Sequence, residues 1–380
     1  MKFLHLSDTH LGYHQYGLQE RAVDFFDVFN EAVDVALEKK VDFVVHTGDF
    51  FHSSRPSNQI ILQGIEILRR LKDARIPIFV ISGNHDRGNQ VKDVSPLKIL
   101  QPLGLNLIDS GVYEHEGIFL AGVKYLSKAG LKQIDFRKVL EKLLEKMGTG
   151  FRILMLHQEF QPFFPDSKLN MFSDLPEGFD YVGVGHYHVA QPPSQINGAT
   201  VVYPGSTEFT AYNDKEEEKG KGFYVVEINN GELKTEFIKF RRRRPFLFYR
   251  FNDENSDQIL KKIKEDLEKD HYDKKPVLVL KGTVKDLNYS DIRHLMKNEG
   301  IPEEKFLHIQ VNLTKEKDES YPQPIFIDLK ENTIKKELER LIGDRDLSEA
   351  VIELIDHLKT FESTDEVKKL LREKPEILDF

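Results

Sequence analysis

The sequence predicts an α/β protein: a two-layered β core flanked by helices over residues 1–240, then a small α+β module and a helical tail. Three observations predict this. Short apolar runs alternate with amphipathic helical stretches over the first hundred residues. From about Leu105 strand-like runs follow one another with a single helical interruption. At Arg241–Arg244, followed by Pro245, the texture changes again. A chain of 380 residues is also longer than one hydrophobic core usually serves.

Taken in order, Lys2–Leu6, Val41–His46 and Ile76–Ile81 read as buried strands. The first two lead into helices. Arg21–Lys39 places Phe25, Phe29, Ala32, Val33, Ala36 and Leu37 on one face, and Ser57–Lys72 repeats the pattern with Ile61, Ile65 and Leu68 after Pro56. Strand–helix–strand spacing of this kind predicts parallel crossovers. Leu105–Ile108, Ile118–Val123, Ile153–Leu156, Tyr181–Val184, Thr200–Tyr203, Gly222–Ile228 and Thr235–Phe240 are the next strands, with a helix near Leu131–Met147. Beyond Pro245, strands Phe246–Phe251, Val277–Thr283 and Leu307–Leu313 alternate with helices Ser256–Lys269 and Ser290–Asn298, a module over 241–315. Residues 316–327 read as a linker. Residues 328–380 carry two apolar helical stripes, Ile334/Leu338/Leu341/Ile342 and Leu347 to Leu358, broken at Gly343.

Composition narrows the function. With no Cys, a disulfide scaffold, a thiolate zinc site and a Cys nucleophile are excluded. No run approaches the roughly 18 apolar residues of a membrane span. Asp8 and His10 fall where a signal peptide would have its apolar stretch, so a cytoplasmic location is expected. The net charge of −9 argues at first against nucleic acid. It is unevenly spread. Residues 241–315 hold 17 basic and 13 acidic residues, net +4, whereas 328–380 hold 10 and 15, net −5.

The chemistry lies at the ends of the apolar runs. Phe3-Leu4-His5-Leu6-Ser7 runs into Asp8-Thr9-His10, Val44-Val45-His46-Thr47 into Gly48-Asp49, and Phe79-Val80-Ile81-Ser82 into Gly83-Asn84-His85-Asp86. Ile153–Leu156 runs into His157, and Val182-Gly183-Val184-Gly185 into His186-Tyr187-His188. Ligands of open α/β sheets bind beyond the carboxyl ends of the strands. Asp8, His10, Asp49, Asn84, His157, His186 and His188 offer only oxygen and imidazole donors, a set suited to borderline divalent metals such as Mn, Fe or Zn. Residues two apart on a strand share a face, which lets Asp8/His10 and His186/His188 point into one cavity. Glycines 48, 83 and 185 let the backbone approach closely. Singly, a strand-end Asp is more often a turn or cap residue, and His5, His14, His46 and His115 are read as ordinary packed or polar groups. Five clusters in order carry the metal reading.

These motifs resemble the calcineurin-like metallophosphoesterases. Gly48-Asp49-Phe50-Phe51-His52-Ser53-Ser54-Arg55-Pro56, His10-Leu11-Gly12-Tyr13, Val202-Tyr203-Pro204-Gly205-Ser206 and Lys221-Gly222-Phe223 are similar to the branch of DNA double-strand-break nucleases, the SbcD or Mre-eleven family of archaeal or bacterial type. The resemblance is motif-level over about residues 1–228. It implies one metal on Asp8, His10, Asp49 and His188 and a second on Asp49, Asn84, His157 and His186, with Asp49 bridging and manganese preferred. It implies a duplex-end exonuclease and single-strand endonuclease. It also implies a DNA-capping domain at 241–315, a homodimer, and a tail that binds the coiled-coil base of an ABC-type ATPase (SbcC or "Rad-fifty" type).

Two metals can hold a water and clamp a phosphate oxygen, leaving the departing sugar oxygen in need of a proton. His85, next to Asn84, is the candidate acid, with Asp86 expected to hold its imidazole. The resemblance gives His52 a role in positioning phosphate or strand. Tyr13 is a candidate contact to sugar or base, and Arg241, Arg242, Arg243 and Arg244 are candidates for phosphate. Apolar Ile60, Ile61, Leu97, Leu100 and Leu103 are candidates for the dimer contact. The rivals are another phosphodiesterase or phosphatase of the superfamily, or a non-catalytic DNA-end tethering scaffold. Phosphatases of the superfamily usually follow G-D with D-R-G and end G-N-H with Glu; here Phe50-Phe51-His52 and Asp86 stand instead.

Overall fold

Alternation within the first strand, β1 (Lys2–Leu6), sets the layering. Phe3 points into an apolar layer shared with the second sheet, while Leu4 and Leu6 join a layer shared with helices. The computed structural model describes residues 1–87, 94–211, 213–229, 231–269, 272–285 and 287–315. The helical tail expected at 328–380 and the linker expected at 316–327 lie outside these residues.

β1 is followed by β2 (Phe43–His46), β3 (Ile78–Val80) and β4 (Leu105–Leu107), all parallel. The second sheet comprises β5 (Ser110–His115), β6 (Ile118–Val123), β7 (Phe151–His157), β8 (Tyr181–Gly185), β9 (Ser194–Ile196) and β10 (Ala199–Val202). β11 (Gly222–Asn229) and β12 (Glu232–Lys239) then return to the first sheet as an antiparallel hairpin against β1. The strand orders are β12-β11-β1-β2-β3-β4 and β5-β6-β7-β8-β10-β9. Phe3, Phe43, Phe79, Ile153, Tyr181 and Val226 fill the space between the sheets.

Helices cover both outer faces. Gln19–Glu38 and Asn58–Asp73 connect β1 to β2 and β2 to β3, and bury Phe26, Phe29, Ile67, Leu68 and Leu71 on the first sheet. The second helix is capped by Ser57, whose hydroxyl accepts the Ile60 amide. Phe136–Leu144 packs Phe136, Leu140 and Leu143 on the second sheet. Two strands were not expected from sequence. β5 reads Ser-Gly-Val-Tyr-Glu-His and is largely exposed at a sheet edge, and β9 is three residues long. Neither has the apolar run that marks a buried strand.

A third sheet, β13 (Phe246–Phe251), β14 (Val277–Val284) and β15 (His308–Lys315), runs in that order. Helices Ser256–Lys269 and Tyr289–Asn298 close a separate core of Leu260, Ile263, Leu280, Ile292 and Met296 over it. Met1–Thr314 nevertheless hold together as one unit. The join is a knot of buried charge. Asp24 accepts from Arg21 Nη1 (2.6 Å), Arg244 Nε (2.6 Å) and Nη2 (3.2 Å), and Lys274 Nζ (3.1 Å). Arg21 also donates to Gln15 Oε1 and to the Phe209 carbonyl, and its guanidinium lies 4.9 Å from the Phe246 ring centre.

This knot corrects the reading of the four arginines as one phosphate-binding run. Arg244 is buried and spends its guanidinium on Asp24 and the Lys275 carbonyl. Arg243 stacks over Phe209, and Arg242 pairs with Asp34. Arg241 and Arg242 alone among the four have exposed side chains. Leu97 and Leu100 likewise turn out to be fully buried core residues that cannot form a dimer contact.

Candidate metal centre

Five parallel strands deliver the candidate ligands from one direction. β1 ends before Asp8 and His10, β2 before Asp49, and β3 before Asn84, while β7 ends on His157 and β8 just before His186 and His188. The loops are tied: the Asp8 amide donates to the Gly48 carbonyl and the His10 amide to the Asp49 carbonyl. Close approach depends on two glycines. A Cβ on Gly83 would lie 2.1 Å from Asp49 Oδ1, and one on Gly48, whose φ is +97°, 2.3 Å from His157 Nδ1. Asp8, His10, Asp49 and His186 themselves adopt positive φ, a strained choice for non-glycine residues that clusters at functional sites.

The side chains meet in two groups. Asp8, His10 and His188 have ligating atoms within 4.8 Å of one another, as do Asp49, His157 and His186. Asn84 Oδ1 lies 3.2 Å from His157 Nε2 and 3.0 Å from His186 Nδ1. Asp49 stands between the groups, with Oδ2 3.3 Å from His157 Nε2 and 3.9 Å from His10 Nε2.

The donor chemistry fits a cation. His157 Nδ1 lies 2.7 Å from the Thr47 carbonyl, which can only accept, so Nδ1 carries the hydrogen. The remaining lone pair on Nε2 then faces two more acceptors, the oxygens of Asn84 and Asp49. A proton or a metal must sit among them. Burial opposes charge on His157, yet Asp49 and Asp8 overcome it and raise its pKa to about 9. The same crowding appears in the other group: His10 Nε2 and His188 Nε2 are 3.2 Å apart, and the buried His10 Nδ1 has no partner among the described residues. Burial disfavours charge on Asp8 and Asp49 as well, but the surrounding imidazoles hold both carboxyls well below the usual range. The cluster is thus a set of acceptors short of donors, a cradle that fits a divalent metal.

Residues 1–190 match the calcineurin-like phosphoesterases. Proteins described as "DNA double-strand break repair protein Mre11" are similar over more of the chain. That of Sulfolobus acidocaldarius is 32% identical over 301 residues, 75% of this chain and 76% of its own. The chain belongs to the Mre11 branch of the calcineurin-like phosphoesterases. Its counterpart in Thermoplasma acidophilum is 37% identical over 64% of this chain and 66% of its own, and that in Methanococcus maripaludis 35% over 60% and 63%. This chain therefore matches just under two thirds of the length of those two relatives. Membership of the phosphoesterase family implies a dimetal centre.

Around these side chains lies a ladder of rings. Tyr13 stacks on His52 (3.8 Å), His52 lies parallel to His85 (5.1 Å), and His85 meets His10 edge-on (4.9 Å). His85 Nδ1 lies 2.7 Å from the His52 carbonyl. That contact corrects the role expected of Asp86. Asp86 does not hold the His85 imidazole; it is fully buried and accepts the amides of Phe50, Phe51 and Gly83, fastening the β2 and β3 loops together. Asp49 Oδ1 accepts the His85 amide.

Four supporting groups were missed from sequence. Glu159 Oε1 lies 3.5 Å from His186 Nε2 and orients that ring. Thr210 Oγ1 lies 3.0 Å from His188 Nδ1, and Lys221 Nζ donates to the His188 carbonyl. The Thr47 carbonyl fixes His157. Glu159 had a faint signal, two residues beyond a strand-end His. The others work through backbone or from distant loops. His5 and His46 are buried beside Tyr181, Thr47 and Thr9 hydroxyls, and burial pushes both down to about 3, as neutral packed groups.

Proposed function

We propose that this chain is a two-metal DNA phosphodiesterase: a manganese-dependent exonuclease on duplex ends and endonuclease on single strands, serving double-strand-break repair in the cytoplasm, associated with the nucleoid. The observation that carries this is the His157 lone pair turned onto Asn84 and Asp49 within a buried ring of acceptors. Asp8, His10, Asp49 and His188 would hold one metal and Asp49, Asn84, His157 and His186 the other. When bound, the metals supply an activated water and neutralise charge on the attacked phosphate.

The chain's own residues do the rest. Thr47, Glu159 and Thr210 set the rings of His157, His186 and His188 before substrate arrives. His85, fixed at Nδ1 by the His52 carbonyl, leaves Nε2 to hold a proton for the departing sugar oxygen. His52, braced by Tyr13, supports that ring and lines the same wall. Choice of DNA is supported by the description of the relatives as DNA double-strand break repair proteins and by the positive third sheet beside the His10 loop. There Tyr16 stacks on His308 (3.9 Å) and donates to Gln310 (2.8 Å). We assign DNA capping to this sheet, with the exposed Arg241 as a phosphate contact.

A homodimer is supported by the exposed apolar side chains Leu62 and Ile99 (54% and 52% accessible). An ABC-type ATPase partner would dock on 328–380, outside the described residues. The test is incubation with Mn²⁺ and labelled duplex DNA, single-stranded DNA and a small phosphodiester. Cleavage of both DNAs is expected. Cleavage of the small ester alone would leave a different phosphoesterase, and binding without cleavage would leave a scaffold. His85→Ala should lower DNA cleavage at least a hundredfold with two metals still bound; wild-type rates would remove His85 from the chemistry.

A further inference from the structure

One cation at the rim of the centre has no counter-charge among the described residues. Arg87 follows Asn84-His85-Asp86 directly. Its guanidinium lies over the Tyr125 ring at 4.9 Å, and its buried Nε makes no hydrogen bond among the described residues. Among the described residues no carboxylate pairs with it. Arg21, Arg70, Arg242 and Arg244, by contrast, each have an aspartate partner. A guanidinium held by a ring instead of an acid keeps its charge and its donor fork available to an anion.

Its support leads to the metal cluster. The Tyr125 ring centre is 5.6 Å from that of His186 and 6.2 Å from that of His157, and the Tyr125 amide donates to the Ser82 carbonyl just ahead of Gly83 and Asn84. Tyr125 and Arg87 are both partly exposed, so the pair faces solvent at the lip. Phe164 lies on His186 too, with ring centres 5.4 Å apart. The Glu159 carboxylate lies 3.5 Å from His186 Nε2 on the same rim, and its charge also acts on Tyr125. The rim on this side therefore presents one positive fork between aromatic faces, two ring contacts away from the ligands.

We propose that Arg87, braced on Tyr125, binds a phosphate of the substrate strand next to the one being cut, on the Asn84–His157–His186 side of the centre. This rests on the DNA reading above. A point charge on the backbone is a sequence-independent contact, and aromatic neighbours suit an unpaired strand.

The test uses the full chain loaded with Mn²⁺. Binding of a cleavage-resistant phosphorothioate single strand is followed by fluorescence anisotropy across a salt series, beside KM and kcat on ordinary single-stranded DNA. Arg87→Ala should raise KM about tenfold and flatten the slope of log affinity against log salt by about 0.7, with Mn²⁺ affinity unchanged by calorimetry. Arg87→Lys should restore the slope. Tyr125→Leu should raise KM in the same direction, and Tyr125→Phe, which keeps the ring, should not. An unchanged slope in Arg87→Ala, or a KM effect matched by loss of Mn²⁺ affinity, overturns the assignment while wild-type cleavage of DNA keeps the nuclease reading. A wild-type chain that neither binds nor cuts DNA overturns both.

Discussion

The cluster around Asp49 and the knot around Asp24 are both buried, both charged and both assembled from residues far apart in sequence. They differ in the balance of donors to acceptors. Asp24 accepts from three cations, Arg21, Arg244 and Lys274, and each cation has further acceptors. Asp49 faces His157, whose other nitrogen is already committed to a carbonyl, and His10, whose other nitrogen has no partner among the described residues. A closed account holds two parts of a fold together. An open one waits for a ligand, and its residues accept left-handed backbone to keep it open. Buried charge alone therefore does not mark a site; a shortage of donors within it does.

The comparison can be broken at either end, and the largest effect is expected in the open cluster. Asp49→Asn should lower DNA cleavage by a thousandfold or more, beyond the 10–100-fold typical of groups that only orient ligands. In the metal-free chain it should lower stability less than Asp24→Asn does, because it leaves the His157 imidazolium short of one partner where the knot would strand three cations. In the knot, Asp24→Asn should destabilise the fold by about 3–5 kcal/mol by urea unfolding, since it strands buried guanidinium groups. Equal destabilisation by both substitutions would erase the distinction.

The knot should also carry a pH signature. Burial pushes the Asp24 carboxyl up, but the hydrogen bond from Arg244 and the charges of Arg21, Arg244 and Lys274 outweigh it and hold the group below its ordinary value. A carboxylate depressed in the folded state stabilises it fully above the unfolded value, about 4, and loses that contribution as pH falls through the lower folded value. The wild type should lose stability below about pH 4, and Asp24→Asn should lose less. Parallel curves would show that Asp24 is not ionised in the knot.

The smallest effect sharpens the open cluster from outside. Glu159→Gln keeps the shape but weakens the pull on His186 Nε2, and Mn²⁺ affinity should fall by about 10–100-fold in calorimetry. Unchanged affinity would make Glu159 a bystander.

Much of the open cluster was legible in the sequence because its grammar is local. An apolar run ends, a glycine turns the chain, and an Asp, Asn or His follows, five times in order. The two-layered β core was legible for the same reason, through its buried strands. What stayed hidden depended on distant partners. Asp86 looked like a partner for its neighbour His85, but it caps amides of Phe50 and Phe51, 36 and 35 residues away. Arg244 looked like one of four equivalent surface arginines until Asp24, 220 residues away, took its guanidinium. Edge strands β5 and β9 have no apolar pattern to betray them. The αL backbone at Asp8, His10, Asp49 and His186 leaves no mark in residue type, since sterics there would favour glycine.

The most direct measurement is the number of Mn²⁺ ions bound per chain, by calorimetry on the wild type, Asp49→Asn and Asp24→Asn. The wild type should take two ions, Asp49→Asn should lose tight binding at both positions because its carboxylate stands between them, and Asp24→Asn should still take two while folded. Fewer than two ions in the wild type, or two tightly bound ions in Asp49→Asn, would contradict the assignment of the acceptor cluster as a dimetal centre bridged by Asp49.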